Sequence, residues 1–382
     1  MGFLMARTTG ILLLCVMLQF SCNKLRIKDF PDANEPMVQP MLTLQFNYQR
    51  NALTDEEVAP PLVLQWEESL PSIPNKGFAI SDNYALFGMT NGYLAALEVG
   101  DGSFLGKKNL GDGCPAPPTI YGTIAYQSFE TGKSGLIAYD LPTGGVLWEL
   151  PGQFSTSNPV ILDERLFHQT AQGMVFCLDY RNGGFLWQKY TGHAVRNALA
   201  YSDGILISAA SDGFISAIIH RTGVMRWQTT VDGPVFADPV IADGRVYIAG
   251  YDGFLTILDL ATGTIVKRIP FEVPLYQGPT IDAGTIYFGV SNGTFYAIDR
   301  RSFEIRYRFN GQGPVSAPPL VSESYIYFTT LARHLYVLKK SDGQLLQDIE
   351  FDGRARSTPI IKNNTLIIAS DAKAAFAYVQ NF

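Results

Sequence analysis

Histidine and cysteine, the residue types that most often carry catalysis or bind metal, are few and scattered in this chain of 382 residues. None of the four histidines has a second histidine or a cysteine at the spacing of a zinc site. They are His168, His193, His220 and His334. The chain also has no Walker loop, no G-x-S-x-G element and no C-x-x-C-H haem attachment. We therefore predict no catalytic residue, no metal site and no cofactor, and we expect a protein that is not an enzyme.

Acidic residues are frequent, but many of them precede a glycine between two short apolar runs. Asp243-Gly244 and Asp252-Gly253 divide the stretch 239–278 in this way. Because Asp-Gly supports the positive φ angles of a tight hairpin, turn geometry alone explains these carboxylates. The stretch is predicted to form a small antiparallel unit of about four strands.

This unit recurs with a period of 40 residues. A proline opens the unit at Pro159, Pro239, Pro279, Pro319 and Pro359. Three of the last strands carry a tryptophan, at Trp148, Trp187 and Trp227. A strand-rich repeat of this length predicts a propeller or a solenoid, since one unit cannot bury both of its faces alone. Strands that are apolar on both faces favour blades packed between neighbours.

The repeat count predicts an all-β fold, an eight-bladed β-propeller of four-stranded antiparallel blades over residues 62–382. The last unit ends at Phe382 without an outer strand, whereas LVLQWE at 62–67 is an outer strand without a unit. The N-terminal strand is therefore predicted to complete the last blade, with Trp66 as the residue that closes the ring. Such closure removes open sheet edges.

Residues 1–21 have the features of an export signal. Arg7 supplies the positive region, and the apolar run ILLLCVML is too short to span a bilayer. The segment resembles a bacterial lipoprotein signal, which implies a lipid on Cys22; secretion with cleavage elsewhere is the alternative. No aspartate follows the cysteine, so we expect a lipid anchor in the outer membrane with the protein facing the periplasm. The sequence does not decide between the periplasmic and the surface-exposed leaflet.

Residues 22–61 are polar, contain scattered prolines and lack the repeat, so they are predicted to be a tether. Within them, residues 41–48 alternate apolar side chains and could pair as an extra strand, dock on a partner or pack against the ring. Two cysteines remain in the propeller, Cys114 and Cys177. They could pair in an oxidising compartment, although a buried free thiol is equally ordinary in an apolar strand.

The repeat resembles a known family of propellers. The stretch LAYSDGILISAASDGFISAIIHRTGVMRWQ at 199–228 combines strands, Asp-Gly turns and T-G-x-x-x-W, as in the pyrroloquinoline-quinone-type repeat. A propeller of this length behind a lipoprotein signal is similar to the BamB family of outer-membrane protein assembly lipoproteins. The resemblance implies a non-catalytic scaffold that binds the β-barrel assembly machinery and helps to insert barrel proteins into the outer membrane.

Two other functions stay open at this point. The first is a scaffold subunit of another cell-envelope complex. The second is a quinone-dependent oxidoreductase, but those enzymes carry adjacent cysteines and a calcium site, and this chain has no Cys-Cys pair. A net charge of −6 argues against nucleic acid as the partner, and no small-molecule substrate is expected.

The resemblance also implies a partner-binding site. In the family, a loop before a mid-ring blade makes the contact through a leucine-rich stretch ending in arginine, which Val195 and Arg196 match. The repeat phase predicts Phe236, Tyr276 and Arg356 on the same face of the ring. Tyrosine, phenylalanine and arginine are enriched at the centres of interfaces. Alternatively, Val195 could be repeat packing and the aromatic residues could plug the central channel.

Overall fold

Eight four-stranded antiparallel sheets form the ring, which confirms the predicted eight-bladed β-propeller. The structure is a computed structural model that describes residues 24–30 and 47–381. The predicted signal at 1–21, Cys22 and residues 41–46 lie outside these ranges. In the part of the chain that is described, no helix has the length and apolar character needed to cross a bilayer.

The strands follow one another from the inner to the outer edge of each blade, after a first strand, β1 (Leu62–Ser69). Blade 1 contains β2 (Ala79–Ser81), β3 (Tyr84–Gly88), β4 (Tyr93–Glu98) and β5 (Phe104–Asn109). Blade 2 contains β6 (Thr119–Tyr121), β7 (Ile124–Ser128), β8 (Ser134–Asp140) and β9 (Gly145–Pro151). Blade 3 contains β10 (Val160–Leu162), β11 (Arg165–Gln169), β12 (Met174–Asp179) and β13 (Phe185–Tyr190). Blade 4 contains β14 (Ala200–Ser202), β15 (Ile205–Ala209), β16 (Phe214–Ile219) and β17 (Met225–Thr230).

The second half of the ring repeats this order. Blade 5 contains β18 (Val240–Ala242), β19 (Arg245–Ala249), β20 (Phe254–Asp259) and β21 (Ile265–Pro270). Blade 6 contains β22 (Thr280–Ile281), β23 (Thr285–Gly289), β24 (Thr294–Asp299) and β25 (Ile305–Asn310). Blade 7 contains β26 (Leu320–Val321), β27 (Tyr325–Thr329), β28 (His334–Lys339) and β29 (Leu345–Glu350). Blade 8 contains β30 (Ile360–Lys362), β31 (Thr365–Ser370) and β32 (Ala374–Gln380), and β1 is its outer strand.

The ring closes where β1 pairs antiparallel with β32, from Leu62 opposite Gln380 to Ser69 opposite Ala374. Trp66 of β1 is buried, and its indole Nε1 donates a hydrogen bond to the carbonyl oxygen of Val99 in blade 1, at 3.0 Å. The predicted composite blade is therefore present, and Trp66 lies at its junction with blade 1.

A glycine of one blade accommodates the tryptophan of the blade before it. Gly102 has a φ of 76°, and a Cβ there would lie 2.8 Å from the Trp66 ring. The same arrangement joins Trp148 to Gly183, Trp187 to Gly223 and Trp227 to Gly263. The T-G-x-x-x-W pattern thus records a contact between neighbouring blades: the glycine receives one indole, and the tryptophan that follows it packs onto the next blade.

The described parts of the predicted tether are packed onto the propeller. Leu25, Ile27 and Phe30 are buried among apolar residues of blades 1 and 2. The Leu25 amide donates to the carbonyl of Lys107, and the Ile27 amide donates to that of Leu141. These contacts join residues far apart in sequence and follow no local period, so the sequence alone shows only a polar segment.

A second part of the predicted tether, residues 48–54, fills the central channel; we refer to it as the plug segment. It bonds to the channel-facing edges of inner strands in consecutive blades. Its oxygen atoms accept hydrogen bonds at 2.7–3.0 Å from four backbone amides spaced 40 residues apart, those of Tyr201, Ile241, Ile281 and Val321. The plug segment therefore belongs to the folded unit.

Arg50 lies at the centre of the plug segment and is fully buried. Its guanidinium donates to the carbonyl of Leu199 at 2.9 Å and to Oδ1 of Asn158 at 3.1 Å. Burial lowers the pKa of Arg50, and the nearby Asp238 carboxylate opposes that shift. The guanidinium thus joins the plug segment to blades 3 and 4 inside the ring.

The two cysteines of the propeller are free and buried, so the disulfide considered from the sequence does not form. Cys114 lies in the loop before blade 2, and Cys177 lies in β12. Burial raises the thiol pKa of Cys114 to about 12 and that of Cys177 to about 11. Both thiols are therefore protonated and poorly reactive at neutral pH.

His168 should make the stability of the propeller depend on pH. It is fully buried in β11, its Nε2 lies 2.7 Å from the carbonyl oxygen of Gln153, and burial lowers its pKa to about 4. The unfolded chain protonates this histidine near pH 6.5, so acidification from pH 6.5 to 4 favours unfolding. We expect this one group to contribute a slope of up to about 1.4 kcal/mol per pH unit in urea unfolding.

The matched variant is His168→Phe, because Phe288 and Phe328 occupy the same repeat position in blades 6 and 7. It should flatten the slope between pH 6 and 4.5 relative to the unmodified chain. Identical slopes in the two proteins would contradict the assignment.

Candidate partner-binding rim

The chain passes from each outer strand to the next inner strand through loops on one face of the ring. These loops carry Arg196 before β14, Phe236 before β18, Tyr276 before β22 and Arg356 before β30. All four side chains are exposed. The structure therefore places the four residues on one face, as the repeat phase predicts.

Three aromatic side chains form a ladder on this face. Phe236 and Tyr276 both pack edge-on against Tyr251, with ring centroids 5.7 Å apart in each pair. The three rings are 41–46% exposed, so they form surface and do not seal the channel. A hydrogen-bonding interaction with Tyr251 raises the pKa of the Tyr276 hydroxyl. The ladder offers flat apolar area together with polar groups, a combination typical of protein-binding surfaces.

Tyr251 was not identified from the sequence. It lies in the hairpin between β19 and β20, so it has a different repeat phase from the loop residues. Its amide donates to the carbonyl of Pro234 at 2.8 Å, which fixes the hairpin against the loop that carries Phe236. The only sequence signal for Tyr251 was that blade 5 carries one aromatic residue in this hairpin and another, Phe236, in the loop before its first strand. We define the contact rim as Arg196, Phe236, Tyr251, Tyr276 and Arg356.

The guanidinium of Arg196 is free to bind a partner. Within the described ranges it forms no ion pair, and Asp212 of the same blade is engaged by His193 at 2.7 Å. His193 is itself stacked on Phe214, with ring centroids 3.7 Å apart. An exposed, unpaired guanidinium can form a bidentate pair with a carboxylate or bond to backbone carbonyls.

Arg356 differs from Arg196 in its electrostatic surroundings. Burial alone would raise the pKa of Asp371, but hydrogen bonds from Arg354 and the charges of Arg354 and Arg356 lower it. The ion pair with Asp371 is formed by Arg354, at 2.7 Å, and Arg356 adds only its nearby charge. Together with Tyr276 and Lys76 it lines a depression of about 400 Å³ beside the channel. The Lys76 ammonium donates a hydrogen bond to the carbonyl of Thr156, at 3.2 Å.

Val195 does not belong to the exposed surface. Its side chain is 2% exposed, and its repeat counterparts Val235 and Leu275 are fully buried. This agrees with the alternative that Val195 is repeat packing, and the contact rim therefore excludes it. The neighbouring Arg196 points outward because successive residues of an extended loop alternate between core and solvent.

The remaining histidines take part in local contacts, and they form no metal site with the acidic residues in the described ranges. No group of three or more His, Cys, Asp or Glu side chains in the described ranges could hold a metal ion. The imidazole of His220 lies 2.9 Å from the carbonyl of Gly204, and His334 pairs with Asp348 at 2.6 Å. The largest set of exposed, uncommitted side chains described above is the contact rim, which suits protein binding.

The fold defines the class: a PQQ-like β-propeller scaffold. A family model described as outer membrane protein assembly factor BamB matches residues 90–309, more than half of the chain. The chain belongs to this family, which confirms the resemblance seen in the repeat. No curated protein is significantly similar to it in sequence.

Solved structures share the fold. BamB from Moraxella catarrhalis superposes with a TM-score of 0.71 at 21% identity, covering 83% of this chain and 99% of that one. The quinohemoprotein alcohol dehydrogenase from Comamonas testosteroni reaches a TM-score of 0.76 at 12% identity, covering 94% and 83%. The computationally designed Ika8 protein reaches 0.71 at 17% identity, covering 81% and 98%. At these identities the matches show a common architecture.

Proposed function

We propose that the protein is a non-catalytic, lipid-anchored scaffold that assists the assembly of β-barrel proteins in the outer membrane. Membership of the BamB family supports a role in outer-membrane protein assembly. The contact rim supports action through protein binding. The observation that carries the proposal is the exposed aromatic ladder on the same face as Arg196, whose guanidinium forms no ion pair in the described ranges. A scaffold needs such a preformed surface, because ordering flexible side chains on binding would cost affinity.

The anchor belongs to the same proposal. The short apolar run before Cys22 and the absence of an acidic residue after it support a lipid on that cysteine and a location at the outer membrane, facing the periplasm. The partner is then a periplasmic part of the β-barrel assembly machinery, and an acidic or carbonyl-rich surface on that partner would complement Arg196.

Arg196→Glu should weaken partner binding while the propeller stays folded. The substitution replaces attraction by repulsion at an exposed position, so thermal stability should change by no more than about 0.5 kcal/mol. Loss of an interface anchor costs about 2 kcal/mol, which corresponds to a roughly thirtyfold weaker affinity. Affinity-tagged protein extracted in mild detergent should therefore lose its co-purified partner.

Arg356→Glu is the matched control, because it makes the same charge change on the same face, four blades away. Arg356 lies at the other end of the contact rim from Arg196, so its variant should weaken partner binding less than Arg196→Glu does. Full co-purification with Arg196→Glu would remove the contact rim from the proposal. Co-purification of an envelope complex without barrel-assembly subunits would contradict the assigned process.

A further inference from the structure

The packing of Lys24 and Leu25 restricts how far the propeller can lie from its proposed lipid. Lys24 forms a parallel bridge with Lys107 of β5, and the Leu25 side chain is fully buried. The Leu25 carbonyl also accepts a hydrogen bond from the Tyr139 hydroxyl of blade 2. Only two residue steps separate Cys22 from Lys24, and two extended residues span at most about 7 Å. A lipid on Cys22 would therefore sit beside the outer edge of blades 1 and 2.

The surface around this point is basic. Lys24, Arg26 and Lys28 are exposed, and Arg26 Nε donates to the carbonyl of Pro142 at 2.9 Å, which fixes its stem on blade 2. The acid of the segment, Asp29, lies near Tyr84: burial first, and then the Asp29 charge, raise the pKa of that hydroxyl. Tyr84 belongs to blade 1, so Asp29 lies toward that blade; it is exposed like the three cations, which leaves the segment with an excess of two positive charges.

Exposed apolar side chains adjoin the basic residues. A Cβ on Gly144 would lie 3.5 Å from the Cβ of Arg26, and β9 begins at the next residue. Val146 and Leu147 of that strand are 48% and 50% exposed. Basic residues beside apolar side chains favour an anionic lipid surface, where the cations meet the headgroups and the apolar groups enter the boundary region.

We propose that this docking edge, formed by Lys24, Arg26, Lys28, Val146 and Leu147, rests on the membrane that holds the anchor. The inference depends on the proposed lipidation of Cys22. An exposed apolar pair by itself does not identify the edge, because Ile265 and Val266 of blade 5 are 48% and 47% exposed at the equivalent place. The short link to the lipid and the three cations distinguish blades 1 and 2. In this orientation the outer edge of blades 1 and 2 faces the membrane. The face that carries the contact rim is then roughly perpendicular to the membrane plane and accessible to a partner.

The test compares two fluorophore positions on the full lipidated chain. Leu147→Cys and Val266→Cys are each labelled with an environment-sensitive thiol probe and reconstituted in vesicles of phosphatidylethanolamine and phosphatidylglycerol. Cys114 and Cys177 are buried, so they should not react. Spin-labelled lipid should quench the probe at 147 and leave the probe at 266 at its lipid-free intensity. Lys24→Gln and Lys28→Gln should each lower the docked-to-undocked ratio about fivefold in phosphatidylglycerol vesicles.

The outcomes separate the docking edge from the anchor and from the contact rim. The mass of the intact chain, compared with Cys22→Ala, reports the lipid independently. Equal quenching at 147 and 266 in a lipidated chain would overturn the docking edge and leave the lipid in place. A chain without lipid on Cys22 would overturn both, whereas partner binding through Arg196 would stand in either case.

Discussion

Trp66→Ala is expected to lower the free energy of unfolding by about 3–5 kcal/mol, the usual cost of truncating a buried tryptophan. The indole fills the space over Gly102 and donates to the Val99 carbonyl, so the variant loses packing and leaves an acceptor without its partner. β1 is joined to β32 only by non-covalent pairing. The substitution therefore weakens a strand that no short loop connects to the rest of its blade. Urea unfolding followed by intrinsic fluorescence measures the change.

Trp227→Ala is the matched control, since Trp227 makes the same contacts with Gly263 and the Leu260 carbonyl inside the continuous part of the ring. Its loss of stability should be similar, but its outer strand β17 remains tied to β16 by a short turn. We therefore expect faster amide hydrogen exchange in β1 of Trp66→Ala than in β17 of Trp227→Ala. Equal protection of the two strands, or a Trp66→Ala change below about 1 kcal/mol, would contradict closure by β1.

The blades were predictable because the glycine–tryptophan contact recurs at four of the eight junctions. Each indole needs a glycine in the next blade, and each Asp-Gly hairpin needs positive φ, so these requirements appear in the sequence at a fixed period. The last repeat lacks an outer strand, and the strand at 62–67 belongs to no repeat. Counting the strands therefore indicates that the N-terminal strand closes the ring. The period thus specified both the number of blades and their junction.

The N-terminal segments were not predictable for the opposite reason. Tyr48 to Thr54 are mostly polar, yet their hydrogen bonds reach blades 3 to 7. A segment that crosses several blades has no period of its own, and its polar groups are matched by strand edges that exist only after the ring has formed. Residues 24–30 show the same limit, since three buried apolar side chains are too few to predict packing.

The candidate rim was partly predictable. The repeat phase brought Arg196, Phe236 and Tyr276 to one face, because equivalent loops of a ring emerge together. It did not identify Tyr251, which reaches that face through a hairpin of another phase. The apolar counterparts of Val195 at Val235 and Leu275 had already offered repeat packing as its alternative role, and its burial agrees with that alternative.

Arg50→Met is expected to lower the free energy of unfolding by about 3–5 kcal/mol, because it removes a buried charge that satisfies acceptors in the channel. The Leu199 carbonyl and Asn158 Oδ1 would lose their donor, and the Asp238 carboxylate would lose a nearby positive charge. Methionine keeps most of the side-chain volume, so the effect reports the lost polar contacts more than an empty cavity. Urea unfolding at neutral pH measures it.

Gln49→Ala supplies the control within the same plug segment. Gln49 contributes its backbone carbonyl, which accepts from the Ile241 amide at 2.8 Å, and that bond survives the substitution. Its stability should therefore stay within about 0.5 kcal/mol of the unmodified chain. If Arg50→Met were equally mild, the plug segment would be only a passive filling of the channel. A large loss for Arg50 alone would show that the plug segment, although outside the repeat, holds blades 3 and 4 together from within the ring.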